Sequence, residues 1–224
     1  MAIYDEVVER FKSPLFEKEN MWIRKKGSKI KIYGNDDMKV SPYLKAWIAQ
    51  PDKEGKISSC VVGLIGPGTS RQLQCTWNSP FEQSNLGSVF EKTGGALQMA
   101  TGLTTITSLA STQIWEGNKP HALNLVLLFY AKSDAAMEVM GALSQLEQYA
   151  APTPDEGSPA NRIPAPIILN IGRTSMFTDC VIESIAIGLD KEKDKHGNLV
   201  RAEATLSIAT KKMLMKADIA KTWA

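Results

Sequence analysis

The chain has 224 residues, and its 26 Lys and Arg against 24 Asp and Glu give a formal net charge of +2. Hydrophobic residues make up 43% and charged residues 22%, values that are typical of a globular protein and exclude a largely disordered one. The small net charge argues against a dedicated nucleic-acid-binding module. No run approaches the roughly 20 apolar residues of a membrane-spanning helix, and the charged N-terminal sequence is unlike a secretory signal.

The N-terminal region predicts a short helix followed by strands. Four apolar residues stand four positions apart, at Ile3, Val7, Phe11 and Leu15. This spacing gives one narrow apolar stripe on a helix, which Pro14 should bend or end. Residues 21–33 alternate in the manner of two short strands around a turn. We assign residues 1–55 to an N-terminal helix and extension.

Residues 57–77 predict a hairpin. The run 57–65 is strand-like, Gly66-Pro67-Gly68 is a turn sequence, and residues 71–77 alternate between polar and apolar side chains. Two strands joined by a short turn of this kind usually pair with each other.

A Gly- and Thr-rich stretch follows over residues 84–111, and its part from 94 to 111 carries no charge. Glycine and threonine are poor helix formers. We interpret this stretch as an insertion that packs against another part of an assembly.

The next elements are a buried strand, a helix and a second strand. Residues 121–130 are almost continuously apolar, and Ser133-Asp134 is a capping sequence for a helix over 133–149. Residues 151–166 contain five prolines and predict an extended loop. Residues 165–172 predict the following strand.

The clearest local pattern is a long antiparallel hairpin. Residues 180–189 and 199–209 are both strand-like, and the charged stretch 190–198 joins them. In the second run apolar and polar residues alternate, which gives one face of each kind. Residues 211–224 then form a C-terminal tail, either as a short helix or as a docking segment.

We find no catalytic, cofactor-binding or metal-binding constellation and expect a protein that is not an enzyme. The stretch 87–94 approaches a phosphate-binding loop, but Glu91 stands where the motif requires glycine. Cys60, Cys75 and Cys180 are odd in number and widely spaced, which suits a reducing compartment. His121 and His196 are the two histidines, and we interpret both as structural or surface residues.

Three stretches resemble the tube-initiator and baseplate–tube junction proteins of contractile bacteriophage tails. RQLQCTWNSPFE, from Arg71, looks like the family's strand that ends in a Trp-x-x-Pro turn. LNLVLLFYA, from Leu123, with the helix after it, looks like the central strand and helix. PAPIILNIG, from Pro164, with CVIESI, from Cys180, looks like the final proline-rich loop, strand and long hairpin. The resemblance covers residues 57–210.

The resemblance implies an α+β fold that is mainly antiparallel β, a tail-tube-like β-sandwich or barrel over residues 56–210 with one flanking helix. In such proteins a long hairpin of each subunit contributes to a ring-shaped oligomeric β-barrel around a channel. The implied function is a structural virion protein at the junction of the baseplate hub and the tail tube, which templates tube polymerisation. Such a protein is assembled in the host cytoplasm and is not inserted into a membrane.

The implied partners are other copies of the chain in a hexameric ring, the tail tube protein, the baseplate hub protein and the tape measure protein, with genomic DNA only in transit. The predicted barrel-wall and oligomer-interface residues are Val181, Glu183, Ile185, Ile187, Leu189, Val200, Ala202, Ala204, Leu206 and Ile208. The predicted contacts between rings are Leu97, Met99, Leu103, Ile106 and Leu109.

Alternatives remain at this point. The same fold would serve a tail tube subunit or a tube terminator, although plain tube subunits are commonly shorter. A small α+β enzyme with an unrecognised site belongs to another class, and it lacks a convergent acid, base or metal cluster in the sequence. A nucleic-acid-binding module fits the small net charge poorly.

Overall fold

The computed structural model describes residues 30–36, 38–52, 55–78, 113–152 and 163–223. The strands are β1 (Lys31–Gly34), β2 (Lys45–Pro51), β3 (Ile57–Ile65), β4 (Ser70–Gln72), β5 (Cys75–Asn78), β6 (Ile114–Asn118), β7 (Ala122–Tyr130), β8 (Ile167–Ile171), β9 (Ser175–Ile187) and β10 (Arg201–Thr210). The α-helices are α1 (Gly141–Ala150) and α2 (Lys216–Lys221), with a 3-10 turn at Pro42–Leu44 and a π-helical turn at Ala136–Met140. Residues 73–119 form one unit and the remaining residues form another.

The larger unit is a closed barrel of six strands. Its strands follow the order β3, β2, β8, β9, β10 and β7, and β7 pairs back with β3. Every pairing around the barrel is antiparallel, whereas β1 lies parallel to β3. The fold is therefore a β-rich α+β fold, as the sequence predicts at this coarser level.

The inward-facing side chains of the barrel form the main core. They are Ala46, Ile48, Val61, Leu123, Leu125, Leu127, Phe129, Ile167, Leu169, Phe177, Cys180, Ala202, Ala204, Leu206 and Ile208. The helix α1 adds Leu143, Leu146 and Tyr149 to the same cluster. The alternation of β7 and β10 thus points one face of each strand at a shared interior, as the period of two requires.

The predicted hairpin of residues 57–77 is wrong, because β3 and β4 do not pair with each other. Both strands lie along the same edge of β7, with Leu64 opposite Leu128 and Ser70 opposite Asn124. Gly66-Pro67-Gly68 therefore bulges out of a strand that continues in one direction. The Gly66 amide donates to the Val126 carbonyl at 2.8 Å, and the Val126 amide donates to Thr69 Oγ1 at 3.1 Å.

We call the line along which β3 and β4 meet β7 the seam. At its other end a side chain links β3 to β7. Asn35 follows β1, and its backbone amide donates to the Val62 carbonyl of β3 at 2.8 Å. Its Nδ2 donates to the Tyr130 carbonyl at 2.6 Å, and its Oδ1 accepts from the Tyr130 amide at 3.1 Å. The buried amide of Asn35 therefore joins β3 to β7 where direct pairing of the two strands has ended.

The predicted long hairpin is confirmed as β9 and β10. These strands pair from Ala204 opposite Ile187 to Thr210 opposite Cys180, with an irregularity between Ser207 and Ile208. The tip is ordered by Asp194, whose carboxylate accepts from the amides of His196 and Asn198 at 2.8 and 2.9 Å. The hydrogen bonds from Asn198 and His196 lower the pKa of Asp194 despite the opposing effect of desolvation.

The predicted helix after β7 is confirmed, as a π-helical turn that continues into α1. Asp134 Oδ1 accepts from the amides of Ala136 and Met137 at 3.0 and 3.3 Å, which satisfies two donors at the helix start. The Glu138 carboxylate reaches back to the amides of Lys132 and Ser133. The strand predicted at 165–172 is confirmed as β8.

The larger unit includes elements on both sides of residues 56–210. The barrel begins before residue 56, because β2 is one of its six strands. At the other end, the tail contains α2 and docks on β9, where the Met176 amide donates to the Thr222 carbonyl at 2.9 Å. The predicted N-terminal helix lies outside the described residues.

Candidate functional site

The second unit carries several large apolar side chains that are exposed. Within the described part of the chain, its strands β5 and β6 pair only with each other, and we call this two-stranded hairpin the arm. Its exposed large apolar side chains are Leu73 at 39%, Trp77 at 54%, Ile114 at 51% and Trp115 at 49% of their full exposure. Large exposed apolar side chains that lie side by side are candidates for an interaction surface.

The geometry of the arm distributes these side chains over both of its faces. Trp77 lies opposite Trp115, so that the two indoles share a face, whereas Ile114 precedes Trp115 and points the other way. Polar contacts also form within the arm: Asn78 Nδ2 donates to Glu116 Oε2 at 2.8 Å, and Trp115 Nε1 donates to Asn118 Oδ1 at 3.2 Å. The arm is therefore an ordered element with apolar groups turned outward.

The predicted interface residues of the long hairpin divide into three groups. Four of them are buried within the chain's own barrel: Ala202, Ala204, Leu206 and Ile208. Ile185 and Ile187 pack partly against the same core, and Val181 and Val200 are half-buried. Only Glu183 and Leu189 are exposed, so a contact with another subunit through these strands would use these two residues and the outward-facing residues beside them.

The outward face of this hairpin carries mostly small or polar side chains. It carries Ser184, Ala186, Glu203, Thr205 and Ser207, which are exposed or half-exposed. Ser207 Oγ donates to Glu183 Oε2 at 3.3 Å across the two strands. A face of this composition suits contact with water or with other polar groups more than a dry apolar interface.

The thiols do not assemble into a reactive or disulfide-linked site. All three cysteines are free, and Cys60 and Cys180 are buried. Desolvation is the main cause that raises the pKa of each of these two thiols to about 12. Both side chains therefore stay protonated at neutral pH and serve as small apolar groups in the core.

The described ranges contain no candidate metal site, because no group of three His, Cys, Asp or Glu residues lies close enough together there to hold an ion. In the same part of the chain no helix is long and apolar enough to cross a bilayer.

The residues predicted to contact a neighbouring ring lie outside the described residues: Leu97, Met99, Leu103, Ile106 and Leu109.

No protein-family model and no curated protein sequence matches this chain.

The arm has only a partial signal in the sequence. Residues 71–77 do alternate, but the alternation spans the end of β4 and the start of β5, two strands that belong to separate units. Trp77 and Trp115 stand 38 positions apart in the chain, and a single sequence contains nothing that pairs them. Their common face emerges only from the register of β5 with β6.

Proposed function

We propose that the chain is a structural subunit of a contractile phage tail, a ring-forming protein between the baseplate hub and the tail tube. In this role copies of the chain surround the channel through which DNA passes, and the ring templates the first layer of tube protein. The proposal rests on the resemblance of residues 57–210 to that class of protein and on one structural observation, the exposed apolar arm.

The arm supports assembly for two physical reasons. A two-stranded hairpin is marginal in water by itself, and both outer edges of this one have no strand beside them among the described residues. Exposed tryptophans also lose water favourably in interfaces, where aromatic residues are enriched. A partner that covers the arm therefore gains apolar contact with Trp77 and Trp115 and completes an open sheet.

The closed barrel of the larger unit is compatible with such a subunit. It gives a rigid body whose core is complete within one chain, so that assembly does not have to supply the core. The polar outward face of β9 and β10 is then free to line a channel or to meet a neighbouring copy. This differs from the sequence-based expectation, in which the apolar residues of those strands formed the contact between subunits.

The test measures self-assembly of the wild-type chain and of the double variant Trp77→Ser/Trp115→Ser. Size-exclusion chromatography with light scattering, followed by negative-stain imaging, should show rings of the wild-type chain at high concentration. We expect the double variant to remain monomeric at concentrations at least tenfold above those at which the wild type assembles. Tyr43→Ser is the matched control, because Tyr43 is an aromatic residue 65% exposed on the larger unit.

Three results would decide between the alternatives. Discrete rings favour a junction protein, whereas long tubes favour a tail tube subunit. A wild-type chain that stays monomeric at millimolar concentration contradicts a self-assembling ring. Equal assembly of the wild type and the double variant contradicts the role given to the arm.

A further inference from the structure

We propose that Arg71 and His121 together form a binding site for a carboxylate group. Arg71 belongs to β4, and His121 immediately precedes β7. These two strands pair with Gln72 opposite Ala122, which brings the two residues to the same end of the seam. The proposed site belongs to the larger unit and stands whether or not the chain assembles into rings.

The guanidinium of Arg71 is held by three side chains. It lies between two aromatic rings, 4.8 Å from the centre of Phe177 and 4.6 Å from the centre of Trp223. Its Nη2 donates to Thr222 Oγ1 at 2.9 Å, while its Nη1 is buried and has no hydrogen-bond partner. The planar group is therefore held in one orientation, and the two N–H donors of Nη1 are unused.

Among the residues that the structure describes, no carboxylate forms an ion pair with Arg71. Burial alone lowers the pKa of its guanidinium, which means that the surroundings disfavour the positive charge. A partly buried cation with an unused donor is costly, because both its charge and its N–H group have lost water.

His121 supplies the second polar group of the site. Its side chain is only 2% exposed, and its Nδ1 is buried without a hydrogen-bond partner. The imidazole lies 6.4 Å from the ring of Phe177, the same ring on which Arg71 stacks. Burial first, and then the charge of Arg71, lower the pKa of His121, which favours the neutral imidazole.

A carboxylate satisfies both of these side chains. Its oxygens accept charge-assisted hydrogen bonds from a guanidinium, here from the unpartnered Nη1 of Arg71. Its single negative charge balances the single charge of Arg71, whereas a phosphate dianion would leave an unbalanced charge in a partly buried site. The neutral imidazole carries one N–H, and the tautomer protonated at Nδ1 would donate it to a carboxylate oxygen.

The test follows the two histidines of the chain by NMR while sodium acetate replaces sodium chloride at constant ionic strength. We expect acetate to raise the apparent pKa of His121 by roughly one unit at saturation, which corresponds to about tenfold tighter binding of acetate to the protonated imidazole. His196 is the internal control, because it lies exposed at the tip of the long hairpin and should show no such change.

Substitutions at Arg71 separate charge from geometry. We expect Arg71→Gln to reduce the acetate affinity at least tenfold, and Arg71→Lys to give an intermediate loss because it keeps the charge but not the planar fork. Thr222→Val removes the hydroxyl that orients Nη2 and should weaken acetate binding less than Arg71→Gln. Circular dichroism of each variant establishes that it is folded before the titration.

Two sources of the carboxylate are distinguished by a second arm of the experiment. A shift of the His121 signal with protein concentration, in chloride alone, identifies an acidic side chain of another copy. A shift with acetate at low protein concentration identifies a free carboxylate. If the wild-type His121 signal responds to neither, or responds equally in Arg71→Gln, the proposal is overturned.

Discussion

Where β3 and β7 diverge, the side chain of Asn35 takes the place of backbone hydrogen bonds between the two strands. The residue is only 2% exposed, and its amide makes two hydrogen bonds to the backbone of Tyr130. The preceding Gly34 has φ of 96°, and a Cβ at that position would lie 2.1 Å from the Val62 carbonyl oxygen. Both positions are therefore restricted, Gly34 by space and Asn35 by its ability to donate and accept at once.

Replacing Asn35 with Ala should destabilise the barrel strongly. The substitution leaves the N–H and the carbonyl of Tyr130 without their side-chain partner in a partly buried seam, and we expect a loss of about 2–4 kcal/mol in the free energy of unfolding. Urea denaturation measures this loss. Asn35→Asp should also be destabilising, because a carboxylate accepts from the Tyr130 amide but cannot donate to its carbonyl.

The exposed Lys39 is the control for this experiment. Lys39→Ala should change the free energy of unfolding by less than about 0.5 kcal/mol, the usual range for a surface substitution. An Asn35→Ala variant as stable as Lys39→Ala would contradict the bridging role of Asn35.

At the scale of the element, the start of the helix depends on an ionised side chain. Burial opposes ionisation of Glu138, but hydrogen bonds from the Lys132 and Ser133 amides and from the Ser133 hydroxyl outweigh it and lower the pKa of the carboxyl. A carboxyl with a lowered pKa in the folded state stabilises the protein at and above its ordinary pKa near 4.3. That stabilisation is lost as the pH falls through the lowered value.

Glu138→Gln should therefore cost about 1 kcal/mol at pH 7, and the difference from the wild type should disappear below the lowered pKa of the carboxyl. Thermal denaturation at several pH values between 7 and 3 measures this dependence. Glu147→Gln is the matched control, since Glu147 is an exposed residue of the same helix. A difference that persists unchanged at the lowest pH would show that ionisation of Glu138 contributes nothing.

Element types were predictable wherever the pattern was long, and pairings were not. The alternation of residues 199–209 predicts β10, and the capping sequence at Ser133-Asp134 predicts the helix. The sequence predicts a hairpin turn at Gly66-Pro67-Gly68 where the structure has a bulge, because it does not reveal that Thr69 and Val126 are hydrogen-bonded across 57 positions. The site at Arg71 and His121 was missed for the same reason, since it depends on the distant Phe177 and Trp223.

At the scale of the whole molecule, the barrel holds its core within one chain. Leu206 is fully buried at the centre of β10, between β7 and β9. Leu206→Ala should therefore reduce the free energy of unfolding by about 3–5 kcal/mol, the usual cost of a cavity of this size, as urea denaturation would measure. A proline at this position would unfold the subunit and would not serve as a specific probe of assembly.

The exposed Glu203 of the same strand is the comparison for Leu206. Glu203→Ala should change the free energy of unfolding by less than about 0.5 kcal/mol, because its side chain lies on the outward face. If both variants were equally stable, the inward and outward faces of β10 would have been assigned incorrectly.

The closure of the barrel through Leu64 and Leu128 has a consequence for how the chain folds. The two strands that meet there flank the entire arm in sequence, so the contact that closes the barrel also closes a loop of more than sixty residues. The entropic cost of such a loop grows only with the logarithm of its length, by about 0.6 kcal/mol for each doubling. A long insertion at this position is therefore tolerated by the barrel, and the arm is free to vary in length and sequence while the barrel that carries it is retained.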